Sequence, residues 1–95
     1  MSVPIYDARN STTASVNSSA TNVTLIAARK GRIGAVIHNA STQVLYVKLG
    51  ATASTADYTY KVAADAHVEV PFYYSGQVDG IWASANGAAK VTEVY

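Results

Sequence analysis

The chain has 95 residues, no cysteine and a formal net charge of +1 at pH 7. A chain of this length makes one domain, and without cysteine its stability must come from packing or from partner chains rather than from disulfides. The charged fraction is 14%, well below the roughly 25% of typical soluble domains. A near-neutral chain is poorly suited to neutralising a phosphate backbone, so we expect no nucleic-acid partner.

Residues 1–22 are predicted to form an extended N-terminal arm or a weak first strand. Ser, Thr, Asn and Ala dominate this segment, and Val16 is the one large side chain in its second half. Such a segment buries too little apolar surface to offset the entropy lost on ordering. Three interpretations stay open. It is a free tail, a weak strand through Ala14 and Val16, or an arm laid on a neighbouring subunit with Ile5 and Tyr6 as its apolar anchors.

The chain opens without the basic stretch and apolar core of a signal peptide, and no run approaches the ~18 apolar residues of a membrane helix. We therefore expect a protein that is made and assembled in a cytoplasm and has no membrane partner.

Residues 23–95 consist of short runs of strand-forming residues, separated by turn residues and recurring about every ten positions. No stretch has the period of a helix. This spacing predicts an all-β domain, a small antiparallel β-sandwich (jelly-roll-like or Ig-like) of about seven or eight strands. The predicted strands are Val23–Ala28, Ile33–Asn39, Val44–Leu49, Tyr58–Val62, His67–Phe72, Val78–Ser84 and Ala89–Val94.

Two turns carry hairpin signals. Gly31 can take the positive φ that a short hairpin loop requires, which predicts that the first two runs pair. Asn86-Gly87 is the strongest short hairpin signal in the chain. It predicts that the strand through Ile81 pairs with the strand Ala89–Val94.

The sequence predicts no catalytic, cofactor or metal site. There are two histidines, and no nucleophile elbow accompanies them. Asp65, His67 and Glu69 alternate along the chain and would share one strand face, an arrangement that suggests ligands for a divalent ion. Three groups on one flat face do not converge as ligands must, so a solvated face is the preferred interpretation.

Two clusters are candidates for contact with a partner. A basic cluster at the first turn would meet an acidic surface or a phosphate, or would be a solvated hairpin tip. An aromatic cluster after Pro71 is predicted to form a subunit contact or a rim of the core rather than a sugar-binding platform. With the N-terminal anchors, the predicted interface residues are Ile5, Tyr6, Arg29, Lys30, Arg32, Phe72, Tyr73 and Tyr74.

Packing and turn motifs between residues 29 and 93 resemble a known family. The motifs lie in five segments, namely Asn39-Ala40-Ser41-Thr42, residues 44–50, Glu69-Val70-Pro71-Phe72, residues 80–85 and Val91-Thr92-Glu93. They are similar to segments of small virion proteins of tailed bacteriophages. The resemblance implies a small β-sandwich present in many copies on a phage particle.

The resemblance further implies a non-enzymatic structural protein of the virion that forms a homo-oligomer and binds the major capsid protein or other virion proteins. The leading expectation is a capsid decoration (cement) protein that binds the outer head surface and stabilises the shell. A head–tail, neck or tail accessory protein is an alternative. The seven tyrosines and Trp82 leave a carbohydrate-binding or receptor-binding module as a further alternative.

Overall fold

The computed structural model describes residues 8–95, which contain strands, turns and loops and no helix. Eight strands form two four-stranded antiparallel sheets packed face to face, which confirms the predicted all-β sandwich. The strands are β1 Ser11–Asn17, β2 Val23–Ile26, β3 Gly34–Ala40, β4 Leu45–Leu49, β5 Tyr60–Val62, β6 His67–Val70, β7 Val78–Trp82 and β8 Ala88–Val94.

The strand order identifies the sandwich as a jelly roll. Sheet A has the order β1-β8-β3-β6 and sheet B the order β2-β7-β4-β5. Among the described strands, β4 and β5 are the one pair adjacent both in sequence and in a sheet. Every other connection between consecutive described strands crosses from one sheet to the other, as in the double Greek key of an eight-stranded jelly roll. The Ig-like alternative has a different distribution of strands between its sheets.

Both hairpin predictions are wrong as strand pairings. Gly31 and Gly87 do take positive φ angles of 91° and 73°, so each loop has the expected backbone conformation. However, β2 and β3 lie in different sheets, and so do β7 and β8. Each turn carries the chain across the sandwich, because the turn residues specify a reversal of direction but not which sheet the next strand joins.

Residues 1–22 contribute a strand to sheet A. Ser11–Asn17 pairs with β8 along its whole length, which corresponds to the weak-strand interpretation of this segment. The anchors Ile5 and Tyr6 lie outside the described residues, so their role as an arm stays a prediction.

The core lies between the two sheets and follows the alternation read from the sequence. Ala35, Ile37 and Val47 are buried. Trp82, on the internal strand β7, is the largest fully buried side chain. At Gly80, a Cβ would lie 2.7 Å from the Cδ1 atom of Leu25, so this position has no room for a larger residue.

One buried amide ties several strands together. Asn39, predicted at a strand–turn junction, is fully buried near the end of β3. Its Nδ2 donates to the carbonyl oxygens of Gln43 at 2.7 Å, Val62 at 3.0 Å and Ala63 at 3.2 Å. Its Oδ1 accepts the indole N–H of Trp82 at 3.2 Å. Every hydrogen-bonding atom of this side chain is therefore used, which is the condition for a stable buried polar group.

Candidate partner-binding surface

The loop between β6 and β7, residues 71–77, presents two aromatic side chains to solvent. We call it the aromatic loop. Phe72 is 71% exposed and Tyr73 is 56% exposed, whereas Tyr74 is partly buried against the core. Tyr73 has a φ of 67°, a left-handed conformation that bulky residues rarely adopt. Strain of this kind persists where the surrounding structure holds it, and it clusters at functional sites.

A buried arginine holds the aromatic loop in place. The Arg32 side chain is 0% exposed. Its guanidinium donates to the carbonyl oxygen of Tyr74 at 3.1 Å, to that of Gly76, and to that of Ala27 at 3.1 Å. The Tyr73 N–H also donates to the carbonyl oxygen of Ile33 at 2.8 Å. The planar fork of arginine suits several acceptors at once, and here it fixes the backbone from which Phe72 and Tyr73 project.

A carboxylate on the last strand completes this arrangement. Glu93 Oε2 on β8 accepts from Arg29 Nε at 3.0 Å and lies 3.4 Å from Arg32 Nη1. The Arg29 guanidinium also lies over the ring of Tyr95, 4.1 Å from its centroid. The interpretation of the basic cluster as a solvated hairpin tip is therefore wrong for Arg32, which is buried. Arg29 is partly covered, and Lys30 is exposed.

Phe72 is continuous with an apolar strip on the outer face of sheet A. Gly34 pairs with Val94 across the sheet. A Cβ at Gly34 would lie 3.2 Å from both the Phe72 ring and Val94 Cγ2, so the glycine makes room for the ring on this face. Val36, two residues along β3, is 37% exposed. We call Val36, Phe72 and Val94 the sheet A patch.

The acidic and histidine residues predicted to share one strand face lie on β6 and in the turn before it. His67 and Glu69 are exposed on β6, and the Asp65 carboxylate in the preceding turn lies 3.2 Å from His38 Nε2. Within residues 8–95, no group of three or more His, Cys, Asp or Glu side chains could hold a metal ion. The solvated face preferred from the sequence describes this region.

The remaining aromatic residues divide between core and surface. Trp82 is only 1% exposed and cannot stack on a ligand. Tyr46 on β4 meets Tyr58, in the loop before β5, edge to face, with ring centroids 4.9 Å apart and an interplanar angle of 60°. Lys61 Nζ lies 5.9 Å from the Tyr46 ring centroid. The two tyrosine rings are therefore inclined to each other rather than coplanar.

A buried aspartate on the outer side of sheet B has a structural explanation. Asp79 is 1% exposed, and its carboxylate accepts from Asn22 Nδ2 at 3.0 Å and from Gln77 Nε2 at 2.6 Å. The Asn22 side chain also accepts the N–H of Ala53 at 2.9 Å. The group thus fastens the loop after β4 over sheet B, with its oxygens already satisfied.

The part of the chain described by the structure, residues 8–95, contains no helix long and apolar enough to cross a membrane.

Comparison of the chain with models of protein families, with curated proteins and with solved structures found no match.

Proposed function

We propose that this protein is a non-enzymatic structural component of a phage particle, a capsid decoration protein that binds the shell through the aromatic loop. The observation that carries the proposal is the exposure of Phe72 and Tyr73 on a backbone fixed by a fully buried arginine. Large aromatic side chains are enriched among the residues that dominate protein–protein binding, and a rigid support lowers the entropy lost on association.

The assignment of the partner to a virion has two supports. The first is the resemblance of segments between residues 39 and 93 to small virion proteins of tailed phages. The second is the topology, because jelly rolls include many viral capsid domains. The topological support is an analogy between folds and says nothing about the site itself. The site contributes the contact chemistry, namely the exposed ring of Phe72 in the sheet A patch and the exposed ring of Tyr73 beside it.

The expected strength of one contact is modest. Truncating a well-buried aromatic anchor at an interface typically costs about 2–4 kcal/mol. A 10.0 kDa domain with one such anchor binds weakly by itself. On a shell, many copies bind side by side at symmetry-related sites. If neighbouring copies also contact one another, each bound copy favours binding of the next, and a larger fraction of the sites is filled.

The test is binding of the purified chain to particles of the phage that encodes it, after removal of the particle's own copies. We expect the wild-type chain to sediment with the particles. The double variant Phe72→Ala/Tyr73→Asn should lose at least about tenfold in affinity, since one anchor of 1.4 kcal/mol already gives that factor. Asparagine is chosen at position 73 because it tolerates positive φ.

Tyr58→Ala is the matched control, because Tyr58 is a 41% exposed aromatic residue in the loop between β4 and β5, where it packs on a strand of sheet B. It should bind like the wild type. A wild-type chain that does not bind particles contradicts the virion assignment. Full binding by the double variant contradicts the role of the aromatic loop.

A carbohydrate-binding module is the second candidate, and the Tyr46–Tyr58 pair is the observation that favours it. Jelly rolls also include lectin domains. A glycan array tests it directly, with Tyr58→Ala as the variant that should lose binding. Tryptophan quenching is a poor readout for this purpose, since the single tryptophan is in the core.

A further inference from the structure

The first strand is an unprotected sheet edge. β1 has the sequence Ser-Thr-Thr-Ala-Ser-Val-Asn, without charge, proline or glycine. It pairs with β8 in a continuous register from Ser11 to Asn17 with no bulge. Among the described strands, β8 is its only neighbour, because β1 ends the order of sheet A. Natural proteins usually block such an edge, since its free backbone groups are a template for pairing with another strand.

The other three edge strands carry the usual protection. β2 has four residues and a register shift between Thr24 and Ile26. β5 has three residues, with Lys61 at its centre. β6 has four residues with two ionisable side chains, and Pro71 follows it directly. Short length, charge, proline and irregular register all oppose edge pairing. Of the four described edge strands, β1 therefore has the backbone groups best suited to pairing with a strand of another chain.

The hydrogen bonds at the end of β1 show which of its groups are free. Asn10 N–H donates to Tyr95 O at 2.8 Å, and Tyr95 N–H donates to Asn10 O at 2.9 Å. In an antiparallel ladder such reciprocal pairs alternate with non-bonded pairs. Thr12, Ala14 and Val16 therefore bond to β8. The backbone N–H and C=O groups that point away from the sheet belong to Ser11, Thr13, Ser15 and Asn17.

We propose that β1 pairs antiparallel with β1 of a second copy of this chain, about a two-fold axis at Ala14, which joins the two A sheets into one. A second copy is the partner that we infer, because side chains at equal distances before and after Ala14 are compatible with one another across the axis. Thr13 then faces Ser15, a hydroxyl pair that is favourable across strands. Thr12 faces Val16, so that β-branched side chains meet. Ser11 faces Asn17, both small and uncharged.

Nothing in the described structure obstructs this pairing. All of β1 is exposed except the partly buried Val16, and the strand packs mainly on β8 rather than on sheet B. The Lys90 ammonium donates to Ser15 Oγ at 3.1 Å within its own sheet. The two copies of Lys90 would be separated by three strand spacings, roughly 14 Å. That separation exceeds the ~8 Å Debye length at physiological salt, so their repulsion is screened.

One strand pair is a small interface, and we expect a weak dimer in solution. Its area falls below the ~1,200 Å² at the lower limit of standard stable complexes. The inference does not depend on what the aromatic loop binds. On a shell, the same contact would join neighbouring copies and raise their occupancy.

The first test places a cysteine at the proposed axis. The chain has no cysteine, so any disulfide of a single-cysteine variant is intermolecular. Ala14 would face its own copy in a non-hydrogen-bonded pair, with Cα atoms about 4.5 Å apart, within the range that a disulfide spans. Under a mild oxidant, we expect Ala14→Cys to form a covalent dimer at least about tenfold faster than Ala56→Cys, an exposed position in the loop over sheet B. Equal rates would overturn the proposal.

The second test uses charge. In a dimer of Thr13→Lys or of Thr13→Glu, the two side chains at position 13 are diagonal neighbours across the axis and carry like charges, which repel. Each variant alone should therefore stay a monomer of about 10.0 kDa in sedimentation equilibrium at ~1 mM. An equimolar mixture should recover the dimer, because opposite charges then meet. Thr55→Lys, exposed and far from β1 along the chain, should dimerise like the wild type.

Position 13 is exposed and its N–H points outward, so the variants should keep the wild-type fold, with unchanged circular dichroism as the check. A wild-type chain that is monomeric at ~1 mM overturns the proposal. So does dimerisation of either charged variant alone, or a mixture that stays monomeric while the wild type dimerises.

Discussion

Replacing Arg32 by methionine should destabilise the domain severely, because its buried guanidinium donates to three backbone carbonyl oxygens. The change removes the donors to Ala27, Tyr74 and Gly76 and one of the two arginines at Glu93. An unpaired buried acceptor costs about 1–3 kcal/mol, and loss of one partner of a buried ion pair costs about 3–5 kcal/mol. These two costs partly count the same lost hydrogen bonds, so they do not add, and we expect the free energy of unfolding to fall by about 3–5 kcal/mol in total.

Small domains have a free energy of unfolding of about 5–15 kcal/mol, so this loss is a large fraction of the whole. At about 4–8 °C per kcal/mol, a loss of 3–5 kcal/mol corresponds to a fall in melting temperature of about 12–40 °C. Urea unfolding followed by the fluorescence of Trp82, which is buried and unique, measures it. Arg29→Met is the matched control. That side chain shares Glu93 but is 39% exposed, and its loss should cost about 1 kcal/mol. The reasoning is refuted if Arg32→Met lies within 1 kcal/mol of the wild type, or if Arg29→Met costs more.

Two further changes test the core. Asn39→Leu removes the amide donor from three carbonyl oxygens, of which that of Gln43 keeps the Ser41 hydroxyl at 3.0 Å. It also leaves the indole N–H of Trp82 without its acceptor. Chemical denaturation should show a loss of about 2–4 kcal/mol; a neutral effect would contradict the role assigned to this amide. Gly80→Ala forces a Cβ to within 2.7 Å of Leu25 Cδ1 and should cost about 1–3 kcal/mol through overpacking. Gly31→Ala, where φ is 91° and no atom lies within 4 Å, should cost about 1 kcal/mol from backbone strain alone; the reverse order of these two costs would contradict the packing.

The sequence predicts the strands well, because alternation of apolar and polar residues follows directly from burial of one sheet face. Ile37 and Val47 are buried as expected. Pairing is the part that local sequence predicts poorly. Asn86-Gly87 reverses the chain, but β8 has its neighbours β1 and β3 far away in the sequence. Which sheet a strand joins depends on closing the whole sandwich, and a two-residue turn signal carries no information about that.

The candidate surface was predictable in part. Phe72 and Tyr73 after a proline suggested an exposed aromatic patch, and both side chains are exposed. Arg32 looks like any charged residue beside a turn glycine, and its burial depends on carbonyls up to 44 residues away. Its carboxylate partner Glu93 is 61 residues distant. No local pattern marks a residue whose partners are brought together only by the tertiary fold.

The most direct test of the central claim is a cryo-electron microscopy reconstruction of the intact phage particle, at a resolution that shows side chains. The account predicts copies of this jelly roll on the outside of the head, with Phe72 and Tyr73 buried against the shell protein. Particles that lack the protein, or copies whose aromatic loop faces solvent while another surface makes the contact, would contradict it.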